Sequence, residues 1–146
     1  MSGRVEALWI KRAHRGPMDA VRLARAVAGK GLEGNAGSSR IRQVTILERE
    51  VWEELMRELG AHADPSARRA NVLVSGIALA ESRGRVLRLG EVELTIAGEV
   101  KPCERMEEAV PGLRALMYPR WKGGAFAQVT RSGELGVGDT VEWGAV

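Results

Sequence analysis

The chain has 146 residues, 45% hydrophobic and 28% charged, with a net charge of +3, the composition of one soluble globular domain over 1–146 that buries its core without staples. No run approaches the roughly 18 apolar residues that span a bilayer, and "MSGRVEALWIKRAHRG" lacks an apolar stretch of signal-peptide length, so the expected setting is the cytoplasm, away from membranes. The single cysteine, Cys103, excludes an intrachain disulfide and the CxxC redox and zinc motifs, and His14 and His62 stand at no zinc-ligand spacing.

"RVEALWI" alternates in part and is rich in Val, Leu, Trp and Ile, which predicts a strand that "HRGP" ends. "MDAVRLARAVAGK" is ambiguous: Met18, Val21 and Ala24 follow a helical period, while Val21, Leu23 and Val27 also suit extended chain. "GKGLEGNAGSS" is a glycine-rich loop without the GxGxxG frame or a GK[ST] ending, so it is neither a Rossmann fingerprint nor a P-loop. "RQVTIL" reads as a strand that feeds the helix "EREVWEELMRELG". There Val51, Leu55 and Leu59 form one stripe with Trp52 and Met56 beside it, acids fill the first turn, and Gly60 supplies the stop.

"HADPSARRAN" reads as a loop. "NVLVSGIAL", "GRVLRL" and "GEVELTIAGEV" predict three strands, the last with Val92, Leu94 and Ile96 on one face and Glu91, Glu93 and Thr95 on the other. "CERMEEAV" and "GLRALMY" predict two short helices, and "FAQVTRSGELGVGDTVEWGAV" a strand, a Ser-Gly turn and a closing strand. Many short strands, glycine corners, few helices and no alternating βα units indicate a mainly β protein, a mixed β-barrel.

Of the 22 cations only Lys11, Lys30, Lys101 and Lys122 are lysine. Arginine suits forked recognition of phosphate or carboxylate, but here it is spread along the chain. With four tryptophans, one tyrosine and one phenylalanine, the chain is poorly equipped to stack single-stranded nucleic acid.

In "VKPCERM", Cys103 has two readings. A free cysteine is commonly a small buried apolar residue. Against that, Pro102 suits the first position of a helix, which puts Cys103 in the first turn with Lys101 and Arg105 nearby, conditions that favour a thiolate. Glu104, Glu107 and Glu108 partly cancel that field. "RRAN" is either a solvated pair of cations or a phosphate fork, and "WKGG" either a turn or a place where backbone N–H groups meet an anion.

Taken in order, "GKGLEGN", "RQVTIL" with its helix, "RRANVLVSG", "LRLGEVELTI", "PC", "KGG" and "GELGVGD" resemble the MOSC domain, the module named for the C-terminal part of molybdenum cofactor sulfurase. The resemblance implies a barrel of the pyruvate-kinase-barrel-like type, extended chain from Met18 to Val27, and a pocket ending at Cys103. It implies that Cys103 either carries a persulfide or ligates molybdenum. Arg69, Asn71 and Lys122, with Gly123, Gly124 and a contribution from Arg42, would hold the anionic ends of molybdenum cofactor (molybdopterin). Implied partners are a sulfur donor such as a cysteine desulfurase, and cofactor-biosynthesis proteins or molybdoenzymes. The alternatives are a cofactor-dependent reductase of N-hydroxylated compounds and a non-catalytic anion-binding module. Two departures stand out: Gly34-Asn35 where the family often has Gly-Asp, and Lys122 where arginine often precedes the glycine pair.

Overall fold

The computed structural model of the chain describes residues 3–144. Its strands are β1 (Gly3–Lys11), β2 (Met18–Val21), β3 (Leu23–Val27), β4 (Gly31–Leu32), β5 (Val44–Glu48), β6 (Val72–Ser75), β7 (Val86–Leu89), β8 (Val92–Glu99), β9 (Ala125–Arg131), β10 (Gly133–Gly136) and β11 (Thr140–Trp143). The helices are α1 (Arg49–Leu59), α2 (Glu104–Ala109) and α3 (Leu113–Met117), with a 3-10 turn at Pro65–Arg68. Strands β11, β7, β8, β9, β5, β6 and β1 pair in that order, and β1 closes onto β11, which makes a closed barrel with β2 added outside β1. Closure removes the exposed edges that an open sheet would present.

The barrel is mixed because β5 and β6 run parallel. A parallel neighbour needs a crossover, and α1 supplies it. The chain therefore holds one βαβ unit where the sequence pattern indicated none. The ambiguous segment is extended, as β2 and β3. The closing segment holds three strands: β10 leaves β9 after Ser132 and pairs with β3, and β3 pairs with β4. Residues Ala145 and Val146 of that segment lie outside the described residues.

Period-two alternation divides the buried side chains between two cores. Leu8, Ile10, Ile46, Val72, Val74, Leu94 and Ile96 fill the barrel. Their neighbours Trp9, Leu47 and Leu73 point the other way and meet Trp52, Leu55 and Met56 of α1, Met106 of α2, and Leu113 and Met117 of α3. This second core fastens α2, and with it Cys103, to the barrel wall. Burial of each such side chain contributes roughly 1.5–3 kcal/mol. Helix α1 ends where its sequence indicates: Gly60 takes a left-handed φ of 63°, and the next amide, of Ala61, bonds back to Met56 O at 2.9 Å. Among the described residues no helix is long and apolar enough to cross a membrane.

Glu48, the residue that caps α1, has its pKa raised by burial and by the nearby Glu50, although its Oε2 accepts the Leu79 amide at 3.3 Å. The folded state thus binds a proton more readily than the unfolded chain, and stability falls as pH rises from the usual carboxylate value through the raised one. Glu48→Gln should therefore raise the thermal midpoint at neutral pH. The gain should vanish below pH 4.5, the unperturbed value, as thermal melts at both pH values will show.

Candidate functional site

The segment after β8 is tied across the barrel rim, where the Val100 amide donates to Gly124 O at 2.9 Å. Pro102 is buried and Cys103 is extended, with φ −120° and ψ −176°. Helix α2 begins at Glu104, so Cys103 caps it from outside and does not lie in its first turn. Pro102 is correspondingly outside the helix. Six residues with Glu104 and Glu107 at the start offer little positive dipole, so positive potential at Cys103 has to come from elsewhere in the fold. The thiol itself is free and exposed.

Beside it lies a cavity of about 290 Å³ whose wall includes Cys103. Lys11, Arg42, Arg68, Arg69 and Arg105 line it, and its described lining residues include no carboxylate. Arg68 is the deepest of these cations. It is 7% exposed, its Nε donates to Gly123 O at 2.9 Å, and its Nη2 lies 3.5 Å from Val100 O. Burial lowers its pKa to about 10, against a smaller upward pull from the Cys103 thiol, and Arg42 lowers it further. Among the described residues no carboxylate lies within ion-pair distance of Arg68, and an anion in the cavity would supply a counter-ion. Arg69 adopts φ 64° and donates from Nη2 to Gly16 O at 2.6 Å. Burial and the neighbouring Arg105 hold it below the usual arginine range. The Arg42 guanidinium stacks 4.8 Å above the Phe126 ring.

Asn71 also lines the cavity, but its carboxamide is fully engaged within the protein. Its Oδ1 accepts the Thr45 amide at 3.1 Å and the Thr45 hydroxyl at 3.3 Å. Its Nδ2 donates to Trp9 O and to Asn35 Oδ1, each at 3.1 Å. Asn71 thus braces β1, β5 and the glycine loop from the start of β6. Asn35 Oδ1 accepts a second bond, from the Lys11 amide at 2.9 Å. Both bonds need only a side-chain oxygen, so aspartate would serve equally and the Gly34-Asn35 departure leaves this brace intact.

Gly123 lines the cavity, whereas Lys122 and Gly124 are not among its described lining residues. The Lys122 amide closes a local turn onto Pro119 O at 3.2 Å, and the Gly124 amide donates to Trp121 O at 3.0 Å. Both glycines are required by close backbone approach. A Cβ on Gly123 would overlap Val100 O, and one on Gly124 would overlap Ile46 O. The structure thus brings Cys103, Arg42, Arg69, Asn71 and Gly123 to one cavity and adds Lys11, Arg68 and Arg105.

The MOSC domain family model matches residues 14–142. The chain belongs to the MOSC domain family. Among solved structures, this MOSC domain is similar to the YUAD protein from Bacillus subtilis, with a TM-score of 0.80 at 22% identity, covering 97% of this chain and 94% of that one. YiiM from Escherichia coli matches at a TM-score of 0.72 and 18% identity, over 98% of this chain and 70% of the other. YiiM from Geobacillus stearothermophilus matches at 0.78 and 12%, over 98% and 75%. At these identities the likeness establishes the fold. No curated protein matches this MOSC domain in sequence.

Proposed function

We propose that this MOSC domain protein carries sulfur as a persulfide on Cys103 and works in molybdenum-cofactor metabolism. The observation that carries this reading is the position of one exposed thiol on the wall of a cavity lined, among the described residues, by five cations and no carboxylate. A thiolate is the nucleophile in sulfur exchange. Cys103 would attack the outer sulfur of a donor persulfide, the donor's S–S bond would break, and the donor would leave as a thiolate. A cysteine desulfurase is a donor of this kind. The acceptor would be a molybdoenzyme or a cofactor-biosynthesis protein.

The donor set fits the family's cofactor. Arg68, Arg69 and Arg105 suit a pterin phosphate, and Cys103 is a soft ligand suited to molybdenum. When bound, that cofactor would supply the metal-centred redox and sulfur-acceptor chemistry. The chain's own residues would hold its anionic end and keep Cys103 at the cavity wall. Among the described residues no group of three or more His, Cys, Asp or Glu side chains could hold a metal ion by itself.

Calorimetric titration with a phosphorylated pterin tests the anion half of this reading. A charge-assisted hydrogen bond contributes roughly 1.5–3 kcal/mol, so Arg69→Ala should weaken binding about tenfold or more. Cys103→Ala should bind almost as well as wild type. Absence of binding by wild type, or equal binding by Arg69→Ala, would remove the phosphate-holding role.

A further inference from the structure

Cys103 faces two spaces. The inner one is the cationic cavity. The outer one is an open basin of about 760 Å³ that shares Lys11, Arg69, Cys103 and Arg105 with it and extends to His14, Arg15, Glu104, Glu108 and Arg114. We propose that this basin is the docking surface for the protein sulfur donor, and that it receives an acidic segment of that partner which carries the persulfide. The inference rests on the carrier reading and names the partner's chemistry.

Three observations support it. First, a cavity of about 290 Å³ suits a small molecule and is too small for a folded partner's loop, so a protein donor must reach the sulfur from the basin. Second, the basin is unbalanced in charge: Lys11, Arg15, Arg69, Arg105 and Arg114 face Glu104 and Glu108, five cations against two carboxylates. Third, none of those five cations lies within ion-pair distance of a carboxylate among the described residues. Arg15, on the turn between β1 and β2, and Arg114, on α3, are exposed. Unpaired surface cations around a reactive atom steer an acidic partner and speed its encounter. The transfer needs no added oxidant or reductant: Cys103 gains the outer sulfur as an S–S bond, the donor's S–S bond breaks, and the donor cysteine keeps the electron pair.

The test is the rate at which Cys103 gains the mass of one sulfur from a cysteine desulfurase supplied with cysteine. Steering changes association rates by about tenfold or more, so the double variant Arg15→Glu/Arg114→Glu should load about tenfold more slowly. Arg15→Ala/Arg114→Ala should fall between it and wild type, and added salt should slow wild type. Alkylation of Cys103 by neutral iodoacetamide, measured on the alkaline plateau of its rate where the thiol is ionised in every variant, should proceed alike in all three proteins, which checks that thiol and fold are intact. Equal loading by wild type and the charge-reversed variant overturns the docking surface while the carrier reading stands. So does a loading defect matched by an equal alkylation defect. A wild type that loads from inorganic polysulfide but not from the desulfurase overturns the protein donor. A wild type that loads from neither overturns the carrier reading, and the docking surface falls with it.

Discussion

Gly124→Ala should unfold this protein at a much lower urea concentration than wild type. Gly124 has φ 98°, and an added Cβ would overlap Ile46 O, which belongs to the strand paired with β9. The backbone strain costs about 1–3 kcal/mol, and forcing two backbones apart costs about 1–3 kcal/mol more. Together these take a large share of the roughly 5–15 kcal/mol that holds a domain folded. Gly138 is a matched control, with φ 96° and nothing within 4 Å of the added atom. Gly138→Ala should show the strain alone. Equal midpoints for the two variants would mean that the β5–β9 approach is not what demands glycine.

The second large effect is expected at Arg68. Arg68→Ala leaves Gly123 O without its 2.9 Å donor and removes the longer contact to Val100 O. An unpaired buried carbonyl costs about 1–3 kcal/mol, so a loss on the order of 2–3 kcal/mol is expected in urea unfolding. Two further variants separate support from charge. Arg68→Met fills much of the volume but carries no charge, so it should bind a phosphorylated pterin as poorly as alanine does. Arg68→Lys keeps the charge without the fork, so it should be less stable than wild type yet retain most of the affinity. Wild-type pterin affinity in Arg68→Met would show that the buried cation does not serve the cavity.

These residues show where the sequence is legible. Alternation in "GEVELTIAGEV" indicates β8 because every second residue must reach the barrel interior, and the structure buries Val92, Leu94 and Ile96 accordingly. Helix α1 is equally clear, since its stripe and Gly60 agree. Strand β10 is hidden, because four residues with two glycines carry no pattern and their partner β3 lies near the other end of the chain. Met18 to Val27 misleads by helical period because β2 and β3 sit at the surface, where few side chains are buried.

The site is legible in part for similar reasons. "PC" singles out Cys103, but its exposure depends on where α2 starts. "RRAN" offers two adjacent arginines, and nothing in their order says that Arg68 is buried while Arg69, at φ 64°, turns to the rim. Lys11 reaches the cavity only because β1 ends there, and Arg105 reads from sequence as no more than a flanking charge. Glycines in "KGG" suggest an anion nest, whereas the contacts assign them to backbone packing.

The central claim is that Cys103 carries sulfur. The most direct measurement is the intact mass of the protein after incubation with a cysteine desulfurase and cysteine, followed by a reductant. Cys103 should gain the mass of one sulfur atom and lose it again on reduction, since a persulfide is a reversible cap, and Cys103→Ala should gain nothing. No sulfur gain, together with stoichiometric molybdenum that disappears in Cys103→Ala, would contradict the carrier and favour a molybdenum ligand in a reductase of N-hydroxylated compounds.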